Sequence, residues 1–301
     1  MTDQAGPAPD LEPGHEPALR ARIRRGTIDD LPALRAILRA HGDDGPIASG
    51  QADVVGPYLR HLAEHHTVLV AEDAGETVAF GSAVDTGRAR MLGDLFVLPD
   101  RLGRGIGRSL LTALFGDTTA RVTFSSSDPR ALPLYVRAGM TPLWPNLYVQ
   151  GLTTRLPDRL SDIDVRAAEP DELAALELAW TGDDRPTDHA FWGSQAGADA
   201  FLIEEAGEPM ALGYARSKQV SAARALDRLV VRPGADPVGP AIAGLVRAAR
   251  GGPVQACVLG PNPLLPILLE GGFHVVDADQ LLASDPSLVD PERLLPNPGM
   301  L

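Results

Sequence analysis

The sequence predicts an α+β chain built from two tandem copies of one domain. Three observations carry this. Two short apolar runs, Val68–Glu72 and Thr77–Val84, flank the polar turn Asp73-Ala74-Gly75-Glu76 and read as a β-hairpin. An apolar strand, Leu95-Phe96-Val97-Leu98, stops at Pro99 and passes through Gly103, Gly105 and Gly107 into an amphipathic helix. Landmarks of the first half then return in the second at near-constant spacing. Leu92-Gly93-Asp94-Leu95-Phe96-Val97-Leu98-Pro99 aligns with Leu226-Asp227-Arg228-Leu229-Val230-Val231-Arg232-Pro233, an offset of 134 from Pro99 to Pro233. Gly75-Glu76 through Gly81 matches Gly207-Glu208 through Gly213 at 132, and Gly139-Met140 matches Gly272-Phe273 at 133. Ile23-Arg24 with Asp29-Asp30-Leu31 returns as Val165-Arg166 with Asp171-Glu172-Leu173 at 142.

The remaining elements follow in order. Ala21–Arg25 reads as a first strand, and Thr27 with Asp29-Asp30 caps a helix carrying Leu31, Leu34, Ile37 and Leu38. A second helix covers roughly Ala52–His65. After the glycine helix, Arg121–Ser125 is a strand ending in Ser125-Ser126-Ser127, and a further helix begins near Pro129. Residues 1–19, rich in Pro, Gly and Ala, read as a disordered tail. The first domain is expected over 20–155 and the second over 156–301, joined near Thr153–Ser161.

Composition narrows the class. The chain has 301 residues, enough for two domains with proper cores. No apolar run approaches membrane-spanning length and the N-terminus lacks a signal-peptide pattern, so a cytoplasmic protein that avoids membranes is expected. The single cysteine, Cys257, excludes an internal disulfide and is expected buried on a strand. The net charge of −13 argues against nucleic acid as a partner and favours a cationic or amine substrate.

The glycine loop is the chemical centre. Glycines at a strand-to-helix turn let a ligand approach the backbone and leave the first helical N–H groups free for an anion, most often phosphate. Arg104 and Arg108 add positive charge there. The loop lacks the Gly-Lys-Ser/Thr ending of a Walker loop. Its Gly103-x-Gly105-x-Gly107 spacing also departs from the dinucleotide G-x-G-x-x-G, although Asp128 stands near the spacing of that motif's acid.

The arrangement V-x-P-x-x-x-G-x-G-x-G before an apolar helix resembles the acyl-CoA pyrophosphate loop of the GNAT superfamily of N-acyltransferases. The segment Asp128 to Met140 resembles the family's N-x-R-A-x-x-L-Y-x-x-x-G-F, with Asp128 at the Asn position and Met140 at the Phe position. The resemblance implies two GNAT-like domains, each a mixed, mostly antiparallel sheet flanked by helices. It implies acetyl-CoA as cosubstrate, direct attack by an amine, and no metal. Backbone groups around Val97 and Leu98 would hold the pantetheine arm, and Leu102, Gly103, Arg104, Gly105, Ile106, Gly107 and Arg108 the pyrophosphate. Leu102 replaces the family's usual Gln or Arg. Gly93 and Asp94 stand where many members carry a Glu, which leaves Asp94, directly or through a water, as the available base. Tyr135 takes the general-acid position, since a phenol can return a proton to a departing thiolate; its other reading is a core aromatic beside Leu134 and Ala138.

The second copy is expected to lack this chemistry. Opposite the glycines it has Pro237-Val238-Gly239-Pro240-Ala241, and proline supplies no N–H. The duplication could mimic the dimer of single-domain relatives, so a monomer with pseudo-dimeric domains is expected, with a homodimer as the other state. A non-catalytic acyl-CoA sensor is the alternative function. His61-Leu62-Ala63-Glu64-His65 matches the zinc pattern H-x-x-E-H but lacks a third ligand and reads as a solvated helix face. Asp183-Asp184 reads as solvated loop, with gripping of the substrate as its other reading, and Trp144, Trp180 and Trp192 read as core or pocket walls, Trp180 and Trp192 as walls of the cleft contributed from the second copy.

Overall fold

In a computed structural model of the protein, residues 21–42, 55–158, 162–218 and 223–301 are described. The expected tail at 1–19, the start of the second helix at 52–54 and the end of the link at 159–161 lie outside them. The first half runs β1 (Arg22–Arg25), α1 (Leu31–His41), α2 (Val55–His65), β2 (Thr67–Asp73), β3 (Glu76–Asp85), β4 (Arg90–Val97), α3 (Ile106–Phe115), β5 (Arg121–Ser125), α4 (Ala131–Arg137) and β6 (Thr141–Leu152). The second repeats it: β7 (Ile163–Ala167), α5 (Pro170–Thr181), α6 (Pro186–Ser194), β8 (Asp199–Glu205), β9 (Glu208–Ser217), β10 (Arg224–Val231), α7 (Val238–Ala249), β11 (Pro253–Leu259), α8 (Leu264–Glu270) and β12 (His274–Ala283), followed by a short β13 (Leu294–Leu295).

Local chemistry explains the ends of these elements. Thr27 and Asp30 form a reciprocal capping box ahead of α1, and Gly42 closes the helix at φ 79°. The β2–β3 hairpin turns on Ala74 and Gly75, both at positive φ, and the β8–β9 hairpin on Ala206 and Gly207 in the same conformation. Two left-handed residues match the strand twist, so both copies use the same primed turn.

All strands join one mixed sheet in the order β1-β2-β3-β4-β5-β12-β6-β11-β10-β9-β8-β7, with β13 against β10. Among the described residues only β4–β5 and β10–β11 are parallel. The last strands of the two copies are exchanged. β12 pairs with β5 of the first half through Leu281↔Phe124, and β6 pairs with β11 of the second through Tyr148↔Cys257. The two then pair with each other at the middle of the sheet, as at Asn146↔Asp279. A division at residue 155 therefore follows the repeat in sequence but leaves each half completed by the other's last strand.

Packing crosses the repeat as well. Leu34 and Ile37 of α1, Leu59 and Leu62 of α2, Trp192 of α6, Tyr214 of β9 and Leu281 of β12 belong to one buried cluster. On the opposite face α3 packs Leu111, Leu114 and Phe115 near Tyr135 and Leu282, while α7 buries its apolar face against β9 and β10. Cys257 is buried on β11 as expected, and burial pushes its thiol up to about 12.

Candidate active site

The site opens where two strands part. β4 and β5 pair at Arg90↔Arg121, Met91↔Val122 and Leu92↔Thr123 and no further. β4 continues to Val97 bonded only to β3, so one edge of Gly93–Val97 faces a cleft. At the mouth the β3–β4 register slips, Ser82↔Asp94 being followed by Ala83↔Leu92, which makes Gly93 a bulge. A Cβ on Gly93 would come 2.9 Å from Ser82 Oγ and 3.0 Å from the Gly299 carbonyl, so glycine allows the close approach there.

Below the cleft, Gly103 and Gly105 adopt φ of 77° and 78°, and Gly105 is the N-cap of α3. The first helical bond runs from Ser109 N–H to Gly105 C=O, which leaves the N–H groups of Ile106 and Gly107 without an intrahelical acceptor. Leu102, Gly103, Gly105, Ile106, Gly107 and Arg108 border a cavity of about 710 Å³ that reaches Val97, Asp94 and Tyr135. Two of the expected cofactor contacts differ. The Leu98 N–H donates to Val78 C=O at 2.9 Å and is spent within the sheet. Arg104 is exposed, off the cavity wall, and donates to the Asp100 carbonyl at 3.2 Å. By strand alternation Val97 faces the open edge, and its carbonyl accepts from His41 Nε2 at 2.9 Å.

Two side chains meet the cavity with chemistry. Tyr135 of α4 is buried, and its hydroxyl makes no hydrogen bond among the described residues. Burial, helped by the charges of Asp94 and Asp128, pushes its phenol up to about 12, so it remains a proton donor at neutral pH. Asp94 accepts from Ser82 Oγ at 2.6 Å and from the Tyr58 hydroxyl at 3.0 Å, and its N–H donates to Ser82 Oγ at 2.9 Å. Burial and the Asp94 carboxylate hold the Tyr58 phenol well above its ordinary value. Asp128 is taken by Arg130 at 2.7 Å.

The second copy keeps the geometry and closes the site. Its β10–β11 pairing also stops after three positions, and its register slips at Asp227, the counterpart of Gly93. Arg232 N–H donates to Met210 C=O, repeating Leu98 and Val78. Here, however, β13 lies in the opened edge: Leu229↔Leu295 and Val230↔Leu294 pair, and Val231 N–H donates to Arg293 C=O at 2.9 Å. Asp236 accepts from the N–H groups of Val238 and Gly239, so a carboxylate caps the helix end where a phosphate would lie. Pro237 and Pro240 remove donors as expected, and the start of α7 is buried.

Several expected residues lie elsewhere. Trp192 is buried under the Arg185 and Arg228 guanidiniums rather than in the cleft, and Trp180 packs against the same core. Asp183 is not solvated loop: it is buried and pairs with Arg88 at 3.1 Å, while Asp184 N–H reaches Thr86 C=O. His61 is buried, not on a solvated face. Its Nε2 and that of His66 both bond Asp188 Oδ1, at 2.7 and 2.6 Å. What the second half does bring to the cavity is Asp279, through the exchanged strand, together with Pro298 and Gly299. The only trace of Asp279 in the sequence is an acid alternating with Asp277 between the apolar pairs Val275-Val276 and Leu281-Leu282.

Residues 64–141 match the family model of the acetyltransferase (GNAT) domain. No curated protein sequence matches the chain. Among solved structures, a presumptive acetyltransferase of Pyrococcus horikoshii aligns with TM-score 0.67 at 16% identity, covering 96% of this chain and 97% of its own. A GCN5-related N-acetyltransferase of Anabaena variabilis gives 0.62 at 12%, covering 88% and 72%. A tandem GNAT protein of the clavulanic acid biosynthesis pathway gives 0.57 at 15%, covering 88% and 99%. At these identities the likeness is one of fold, and it extends over nearly the whole chain. Residues 64–141 therefore match the GNAT acetyltransferase domain, within a chain whose fold is shared with GNAT structures that include a tandem one.

Proposed function

We propose that the first half transfers an acetyl group from acetyl-CoA to an amine by direct attack, and that the second half binds no cofactor. The observation that carries this reading is the parted β4–β5 edge above a left-handed glycine loop, with an unpaired tyrosine hydroxyl facing the same cavity. The diphosphate lies against the N–H groups of Ile106 and Gly107, where the helix dipole favours negative charge. The pantetheine arm runs along Val97 as β13 runs along Val231 in the second copy. When bound, acetyl-CoA supplies the activated thioester.

Atoms balance with the groups at hand. The neutral amine attacks the thioester carbonyl, the C–N bond forms and the C–S bond breaks. Asp94, directly or through a water, takes the proton lost by the amine, and Tyr135 gives its proton to the departing sulfur. Holding both reactants in one cleft supplies much of the acceleration. The test is release of free thiol from acetyl-CoA across an amine library, with Tyr135→Phe as the control. Release that depends on amine and falls in the variant supports transfer, whereas tight acetyl-CoA binding with no release in any amine leaves only a binding module.

A further inference from the structure

Three carboxylates border the cavity, and two already have a place: Asp128 is paired with the Arg130 guanidinium, and Asp94, held by the Ser82 and Tyr58 hydroxyls, is the base of the transfer reading. The third, Asp279, is half-buried on β12. Its one partner is neutral, the Tyr148 hydroxyl at 2.6 Å, and no cation pairs with it among the described residues. Burial raises its pKa, a cost of keeping a carboxylate there without a counter-charge. It sits on a definite side of the sheet. Asp279 shares a face with Leu281, whose register partner is Phe124, and Leu281 belongs to the cluster against which Phe96 and Phe124 pack. Asp94 shares that face, two residues before Phe96 and bonded to Tyr58 of α2. Phe96 and Phe124 also border the cavity, an apolar wall beside which an ion pair is screened far less than in open water. The Gly299 carbonyl adds one more acceptor near Asp94.

We propose that Asp279, carried into the first half's cavity by the exchanged strand, binds a second cationic group of the acceptor, so that the substrate class is a diamine or other small polycation. The inference rests on the amine-transfer reading. One nitrogen, neutral, reacts beside Asp94; the other, an ammonium, pairs with Asp279. The second copy thereby serves recognition after its own cofactor slot has been filled by β13.

The experiment compares α,ω-diamines with monoamines of matching length on the full chain and on Asp279→Asn. Asparagine keeps an oxygen for Tyr148 and removes only the charge. Thiol release gives KM and kcat, and calorimetry gives diamine affinity in the presence of CoA. The expected result is a wild-type preference for diamines, with the variant raising the diamine KM by about tenfold or more at nearly constant kcat and leaving monoamine KM unchanged. Equal treatment of the two amine classes by the wild type, an equal shift for both in the variant, or diamines that neither bind nor react would overturn the proposal. Diamine binding that weakens in Asp279→Asn without any thiol release would uphold the cation site and sink the transfer reading instead.

Discussion

Tyr58 donates its hydroxyl to Asp94 Oδ2 at 3.0 Å, and Ser82 donates to the same oxygen at 2.6 Å. Neither hydroxyl carries a charge of its own, so these two bonds fix the carboxylate without neutralising it, which suits the proposed role of proton acceptor. Asp94→Asn is therefore expected to lower kcat by about 10²-fold or more, within the usual range for loss of acid–base catalysis. Acetyl-CoA affinity should stay within about twofold. Steady-state rates with calorimetry decide it; unchanged turnover would remove Asp94 from the mechanism.

Tyr135→Phe should lower turnover by about 10²–10⁴-fold with acetyl-CoA affinity retained. Burial pushes the phenol up to about 12, above the ordinary value of a tyrosine. The protonated form thus persists through the range in which amines lose their proton, and the rate should climb into alkaline pH with no falling limb before Tyr135 itself titrates. A pH–rate profile that turns down near pH 8 or 9, and keeps that limb in Tyr135→Phe, would assign the proton elsewhere.

One acetyl-CoA should bind per chain. Gly105 sits at φ 78°, which proline, locked near −65°, cannot adopt. Gly105→Pro should abolish binding, while Gly239→Ala, at a helix start already capped by Asp236, should leave it intact. Two equivalent sites by calorimetry would refute the difference between the copies.

A chain ending near Leu156 should aggregate or self-associate. It lacks β12, which lies between β5 and β6 and bonds both, so two sheet edges and part of the shared core would be uncovered. Light scattering on the fragment tests this. A soluble, monomeric, fully active fragment would show that the exchange is dispensable.

Acid should unfold the protein through its buried carboxylates. Burial opposes the charge on Asp188 and Glu177, but their buried partners outweigh it. His61, His66 and Arg185 hold Asp188, and Arg228 with His189 holds Glu177, both well below the usual carboxylate range. Because the folded values are depressed, their stabilisation is complete above the ordinary values of the free side chains, 3.8 and 4.5, and is lost as pH falls below them. Asp188→Ala, leaving the buried Arg185 without its salt bridge, should cost about 3–5 kcal/mol in denaturant unfolding. A variant with unchanged acid midpoint would place the pH response in other groups.

What the sequence revealed was local chemistry. Gly103 and Gly105 in a strand-to-helix turn leave few alternatives, and Thr27-Ile28-Asp29-Asp30 before an apolar helix specifies its own cap. The repeat was visible because Gly75, Gly207, Pro99 and Pro233 hold turns that little else can hold. Partners across the sheet were not visible. The Gly139-Met140 and Gly272-Phe273 turns announce a following strand whichever neighbour receives it, so the exchange of β6 and β12 left no mark. β13 is two residues long and carries no periodicity. Trp192 was misplaced because an aromatic on a helix reads alike as cleft wall or core, and only the Arg185 and Arg228 contacts distinguish them.

The exchange of strands also fixes when the protein can work. The cavity is bordered by His41 at one end of the chain and Gly299 at the other, with Asp279 between strands of the first half. A ribosome-bound chain that has emerged only to residue 156 owns the glycine loop and Tyr135 but not the strand that closes the sheet beside them. Folding one domain at a time during synthesis, the usual course for tandem domains, would leave each half without the strand that completes its sheet. The half with the open cleft is complete only once the half whose slot β13 fills has been made.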